Sequence, residues 1–197
     1  AGSKSCTDEL NPRNQAMTNK KGRLAGKVAV VTGGNSGIGE TTGHIFAREG
    51  AKIILMARRE EQGQKVVAEI REKGGKATFI GCDVGNNDSV QEAVRKAAST
   101  YGRIDVLFNN AGGGAGNSFP NEPIEEFQRI IQINLTGTFF VSQAVWPHLV
   151  EAGGGAVVNM SSLAAQRGFS PKMLKEFGAT SSSYYAAKAG VDALTRY

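Results

Sequence analysis

The glycines of Thr32-Gly33-Gly34-Asn35-Ser36-Gly37-Ile38-Gly39 follow the apolar run Val28-Ala29-Val30-Val31 and precede a stretch with helical spacing. Gly33 permits a tight turn off a strand, Gly37 lets backbone approach a pyrophosphate, and Gly39 lets the next helix pack closely on a sheet. The exposed amides of that helix's first turn then face the phosphates. In a chain with 26 glycines the spacing alone also describes an ordinary turn, but a strand before it and a helix after it favour a dinucleotide site. A second set lies far along the chain. Tyr184 and Lys188 are four apart on a predicted helix, so phenol and amine share one face. Such a pair arises easily by chance and takes its weight from its company. Asn109-Asn110-Ala111-Gly112, Asn134 and Ser161-Ser162 precede it in order.

At the end of the second apolar run, where a carboxylate normally accepts from the ribose 2′-hydroxyl of NAD, the chain has Ala57 followed by Arg58 and Arg59. Two guanidiniums without a carboxylate suit a 2′-phosphate, which favours NADP over NAD. The plainer alternative is that both arginines begin a solvated helix. In Cys82-Asp83-Val84, Asp83 either receives the adenine amino group or caps the next helix.

Elements able to hold these residues alternate regularly. Predicted strands cover 28–31, 52–56, 77–81, 106–108 and 156–160, and helices fall near 37–49, 59–73, 87–101, 123–151 and from 182 onward. Breaks at Gly50, Gly74-Gly75, Gly102 and Gly153-Gly154-Gly155 are ordinary helix stops. The pattern predicts an α/β fold, a doubly wound parallel Rossmann sheet in strand order 3-2-1-4-5, with the cofactor over the carboxyl ends of the strands.

Taken in order, TGxxxGxG at Thr32 to Gly39, NNAG at Asn109 to Gly112, Asn134, Ser162 and YxxxK at Tyr184 to Lys188 resemble the classical short-chain dehydrogenase/reductase family, from about Lys27 to the chain end. The resemblance implies an oxidoreductase that moves a hydride between NADP(H) and a secondary alcohol or ketone, with 3-oxoacyl substrates in range. Tyr184 would be the general acid or base, and Lys188 would favour its phenolate and bond the nicotinamide ribose; a free phenol, with pKa about 10, is a poor base at neutral pH. Ser162 would hydrogen-bond the substrate oxygen, Ser161 being structural, and Asn134 would hold a water feeding a proton relay to the lysine. An Asn within an apolar helix needs a polar partner in any case. Asn109 would tie strands together, while Asn110, Ala111 and Gly112, with Asn35, Ser36, Ile38 and Val84, would border the cofactor. The family's pairing into dimers or tetramers is also implied. A non-catalytic NADP-binding sensor or scaffold is the rival reading.

Two departures bear on substrate. The 166–180 stretch lengthens the interval between Ser162 and Tyr184, and its Phe169, Met173 and Phe177 offer either an apolar wall or an amphipathic surface turn. The chain stops at Tyr197, before the family's further strands and substrate lid, so a single C-terminally truncated domain over 26–197 is expected. Residues 1–25 read as a flexible basic leader. Over residues 1–27, Lys4, Arg13, Lys20, Lys21, Arg23 and Lys27 meet only Asp8 and Glu9, so most of the net +5 lies at this end of the chain and argues against nucleic acid as partner. Neither a signal peptide nor a membrane span is evident, and two cysteines, Cys6 and Cys82, suit a reducing cytoplasm. His44 and His148 read as isolated, with no metal expected. Trp146 and Phe139-Phe140 read as core or helix-packing residues.

Overall fold

The computed structural model describes residues 22–114, 117, 119–170, 172–173, 176 and 181–197. Strands β1 (Val28–Thr32), β2 (Lys52–Ala57), β3 (Lys76–Gly81), β4 (Val106–Asn109) and β5 (Ala156–Asn159) form one sheet in the order β3-β2-β1-β4-β5. Every pairing is parallel, as the predicted order requires. Between the strands run α1 (Gly37–Arg48), α2 (Glu60–Glu72) and α3 (Asn87–Tyr101). Helices α4 (Ile124–Ile131) and α5 (Gly137–Glu151) precede β5, and α6 (Ser182–Arg196) follows it.

Central β1 is buried at all five residues because both faces are covered. Val28 and Val30 join Ile54, Met56 and the Val90 and Val94 of α3, whereas Ala29 and Val31 join Ile53, Leu55 and the Val66, Val67 and Ile70 of α2. Successive side chains of a strand point to opposite faces, so one apolar run supplies two cores. Asp105, 2% exposed, ties this centre to the start of β4: its carboxylate accepts from the Val28 amide at 3.0 Å and from Lys27 at 3.1 Å.

Three local features differ from the sequence expectations. The predicted helix over 123–151 contains a π-helical segment, Gln132–Thr136, between α4 and α5. Apolar periodicity does not register the extra residue that widens such a turn. Trp146 and Phe139 are 60% and 44% exposed rather than core, and line an apolar groove with Pro147, Val157 and Leu194, although Phe140 does pack on the core. Residues 22–25, assigned from sequence to the leader, form a turn in which the Leu24 amide donates to the Glu49 carbonyl at 2.9 Å and Leu24 packs on the core. The rest of the leader, residues 1–21, lies outside the described residues. Among the described residues no helix is long and apolar enough to cross a membrane.

Candidate active site

Gly33 and Gly37 have φ of 63° and 56°, the left-handed region that side chains resist, and they bend the chain sharply from β1 into α1. A Cβ on Gly39 would lie 2.3 Å from the Gly33 carbonyl oxygen and 2.6 Å from Asn110 Nδ2. The helix therefore reaches the turn only through glycine. Thr32 and Asn110 lock the turn to the loop after β4. Thr32 Oγ1 accepts from the amides of Asn110 and Ala111, each at 3.0 Å, and Asn110 Nδ2 donates to the Thr32 carbonyl at 3.1 Å.

Along the carboxyl ends of β1 to β4 this leaves a cleft of about 350 Å³. The glycine turn contributes Gly33, Asn35, Ser36 and Ile38, and the end of β2 contributes Ala57, Arg58 and Arg59. Asp83 and Val84 line it after β3, and Asn110, Ala111 and Gly112 after β4. Of the residues predicted to touch a cofactor, Gly37, Gly39, Tyr184 and Lys188 are outside this lining, which includes Met56, Cys82 and Ile133, none of them predicted.

Arg59 lies on the cleft although it also opens α2. Its Nη2 donates to Ser36 Oγ at 3.0 Å, and with the Asn35 amide oxygen turned toward it, Asn35 accepts from Arg59 Nε at 3.0 Å. Asp83 does not cap α3. Its Oδ1 accepts from the Gly85 amide at 3.0 Å, while Asn86 Oδ1 caps the helix by accepting from the Ser89 amide at 3.0 Å. Beside it, burial pushes the Cys82 thiol up to about 11, so the group stays protonated and unreactive near neutral pH.

The second predicted set gathers where α6 meets the end of β5 and the π-helical segment. Lys188 is 3% exposed; its Nζ donates to the Met160 carbonyl at 2.6 Å and lies 5.7 Å from the centre of the Tyr184 ring. Burial holds its ammonium below the usual lysine range. Ser161 Oγ donates to the Lys188 carbonyl at 3.4 Å. The next residue, Ser162, begins a short 3₁₀ turn (Leu163–Ala165) by accepting from the Ala164 amide at 3.2 Å. Asn134 is fully buried at the centre of the π-helical segment, its side chain exchanging hydrogen bonds with both the amide and the carbonyl of Gly113 at 3.2 and 2.9 Å. A Cβ on Gly112 would meet Asn134 Oδ1 at 2.5 Å and Lys188 Nζ at 3.7 Å, so cleft wall, amide and amine converge at one glycine.

Asn109 Nδ2 donates to Asn159 Oδ1 and Ser142 Oγ, both at 2.9 Å, linking β4 to β5 and α5. Tyr185, next to Tyr184 in the chain, sets its ring edge-on to Phe169 at 6.0 Å. Met173 is 38% exposed, and Phe177 lies outside the described residues. His44 is not isolated from carboxylates. Glu40, one turn earlier on α1, and Glu69 of α2 offer ligand atoms within 4.8 Å of one another and of the imidazole, a grouping that the reading of His44 by itself overlooked.

A family profile described as short chain dehydrogenase matches residues 27–197. An uncharacterized oxidoreductase of Thermotoga maritima is 38% identical over 172 residues, covering 87% of this chain and 64% of its own. Secoisolariciresinol dehydrogenase of Forsythia intermedia is 36% identical over 189 residues, covering 93% and 63%. Among solved structures, an NAD⁺-bound xylitol dehydrogenase superposes with a TM-score of 0.80 at 34% identity, over 88% of this chain and 64% of its own. The chain thus spans a little under two thirds of the length of these relatives.

Proposed function

The chain belongs to the short-chain dehydrogenase/reductase family, and from that premise we propose that it is an NADP(H)-dependent oxidoreductase acting on a secondary alcohol or ketone. The observation that carries the reading is that one cleft is lined by the glycine turn, two arginines and Gly112, and that Gly112 in turn abuts Asn134 and Lys188. The donor set fits a dinucleotide with a 2′-phosphate: a Cβ on Gly37 would meet nothing within 4 Å, so backbone is open at the helix start, and Ala57 brings no carboxylate beside Arg58 and Arg59. A relative bound to NAD⁺ leaves the choice between cofactors to these side chains.

A bound nicotinamide supplies hydride chemistry. The chain's residues supply position and proton control. Tyr184 exchanges a proton with the substrate oxygen, and Lys188, its amine beneath the same ring, favours the phenolate by charge. Ser162 donates a hydrogen bond where negative charge develops on that oxygen. Asn134, anchored on Gly113, would hold a water that feeds a proton relay to Lys188. The proposed substrates are small carbonyl compounds and alcohols, including 3-oxoacyl thioesters.

The test is to follow NADPH absorbance with a panel of ketones, aldehydes and 3-oxoacyl thioesters. Tyr184→Phe is expected to lower turnover by about 10²- to 10⁴-fold while leaving NADPH affinity intact. Undiminished turnover in that variant overturns the mechanism, and NADPH binding without consumption across the panel supports a sensor instead.

A further inference from the structure

The helix that carries Tyr184 and Lys188 begins with three serines, Ser181 to Ser183, that meet one carboxylate distant in sequence. Ser181 is the N-cap of α6, and Ser181 and Ser183 are both fully buried. Glu122, in the turn before α4 and 61 positions from Ser183, reaches this end of the helix. Its carboxylate accepts from the Ser183 amide at 3.2 Å and from the hydroxyls of Ser182 and Ser183.

Proton counting gives this network a direction. A hydroxyl has one proton, and an ionised carboxylate only accepts. Ser183 gives its proton to Glu122, so within the 2.7 Å Ser181–Ser183 pair the donor is Ser181. The Ser181 oxygen then keeps its lone pairs for the Tyr184 amide, which donates to it at 3.2 Å. Negative charge at a helix N-terminus is favourable, so charge and hydrogen bonds act in the same sense. Without the carboxylate, Ser183 can turn its proton toward Ser181, and a buried relay loses its fixed polarity.

We propose that Glu122 is a positioning residue for Tyr184: by orienting the Ser183 and Ser181 hydroxyls it holds the first turn of α6, and so the phenol, in register with Lys188 one turn on. The inference rests on the role given to Tyr184 above. Nothing in the local sequence pairs Glu122 with that helix, because the contact exists only once α4 and α6 are packed together.

The experiment compares the full chain with Glu122→Ala, Glu122→Gln and Tyr184→Phe, reading amide hydrogen exchange, NADPH affinity and steady-state kinetics. In Glu122→Ala the Ser183 and Tyr184 amides are expected to exchange about tenfold faster, with β1 amides unchanged, and kcat to fall roughly tenfold at unchanged NADPH affinity. Glu122→Gln, which keeps one acceptor oxygen, should recover part of both effects. Exchange at those two amides within twofold of wild type overturns the proposal, as does a loss spread equally over β1 exchange and NADPH affinity. Should wild type consume no NADPH, or Tyr184→Phe remain active, the functional reading fails. The exchange measurement still decides whether Glu122 holds the helix.

Discussion

Lys188 puts a charged amine where only 3% of the residue meets solvent, with the Met160 carbonyl as its hydrogen-bond acceptor. Desolvation disfavours the ammonium and lowers its pKa, so the proton leaves at a lower pH than from an exposed lysine. If the charged amine supports Tyr184, the rate falls on the alkaline side beginning below about pH 10.4, the ordinary lysine value. A pH–rate profile of the wild-type chain with a saturating ketone checks this, and an alkaline limb at or above that value contradicts it. Arg59 is the comparable case for cofactor choice. Its guanidinium is already held by Ser36 and Asn35, so little ordering remains to be done when a phosphate arrives. Arg59→Ala is expected to weaken NADPH binding by about tenfold or more while changing NADH binding little, since a hydrogen bond to a charged group is worth about 1.5–3 kcal/mol. Fluorescence titration with both dinucleotides separates the two.

At the scale of elements, the site depends on how β1 and β4 are joined at the opposite end of the sheet. Asp105 is buried there among Arg103, Lys27 and the Val28 amide. Burial pushes its carboxyl up, but the hydrogen bonds from Arg103, Val28 and Lys27 outweigh that and hold it below the ordinary range. A depressed folded-state pKa contributes stability that is present above the unfolded value, about 3.9, and lost as pH falls through the folded one. Asp105→Ala, which leaves the buried Val28 amide without its acceptor, is expected to cost about 1–3 kcal/mol at pH 7, and less below about pH 4. Urea unfolding at the two pH values measures the difference; an equal cost at both would assign the effect to packing rather than charge. The π-helical segment is the other element-level device. One extra residue in a turn turns Asn134 toward Gly113 while its neighbours continue the apolar face, with Ile130 fully buried before it and Val141 after it.

Over the whole sheet, burial is greatest at β1 and declines toward β5. All five residues of β1 are buried between two paired neighbours, whereas β5 alternates exposed and half-buried positions, with Val158 50% exposed. Local opening follows that gradient, so the amides of Val28–Thr32 should exchange slowest and those of Ala156–Asn159 markedly faster. Residue-resolved hydrogen exchange tests the order, and equal protection in the two strands would contradict it. The glycine turn, the five strands and the Tyr184 and Lys188 face were legible in the sequence because each follows from spacings of a few residues, and the strand order followed from the regular alternation of strands and helices, which admits few parallel topologies. The Asn110 lock on Thr32, the clasp of Arg59 by Asn35 and Ser36, the meeting of Asn134 with Gly112, and the grip of Glu122 on α6 were not. Each joins residues from different elements. A periodic pattern states which way a side chain points along its own element, and only the packing of helices on the sheet decides what it meets there.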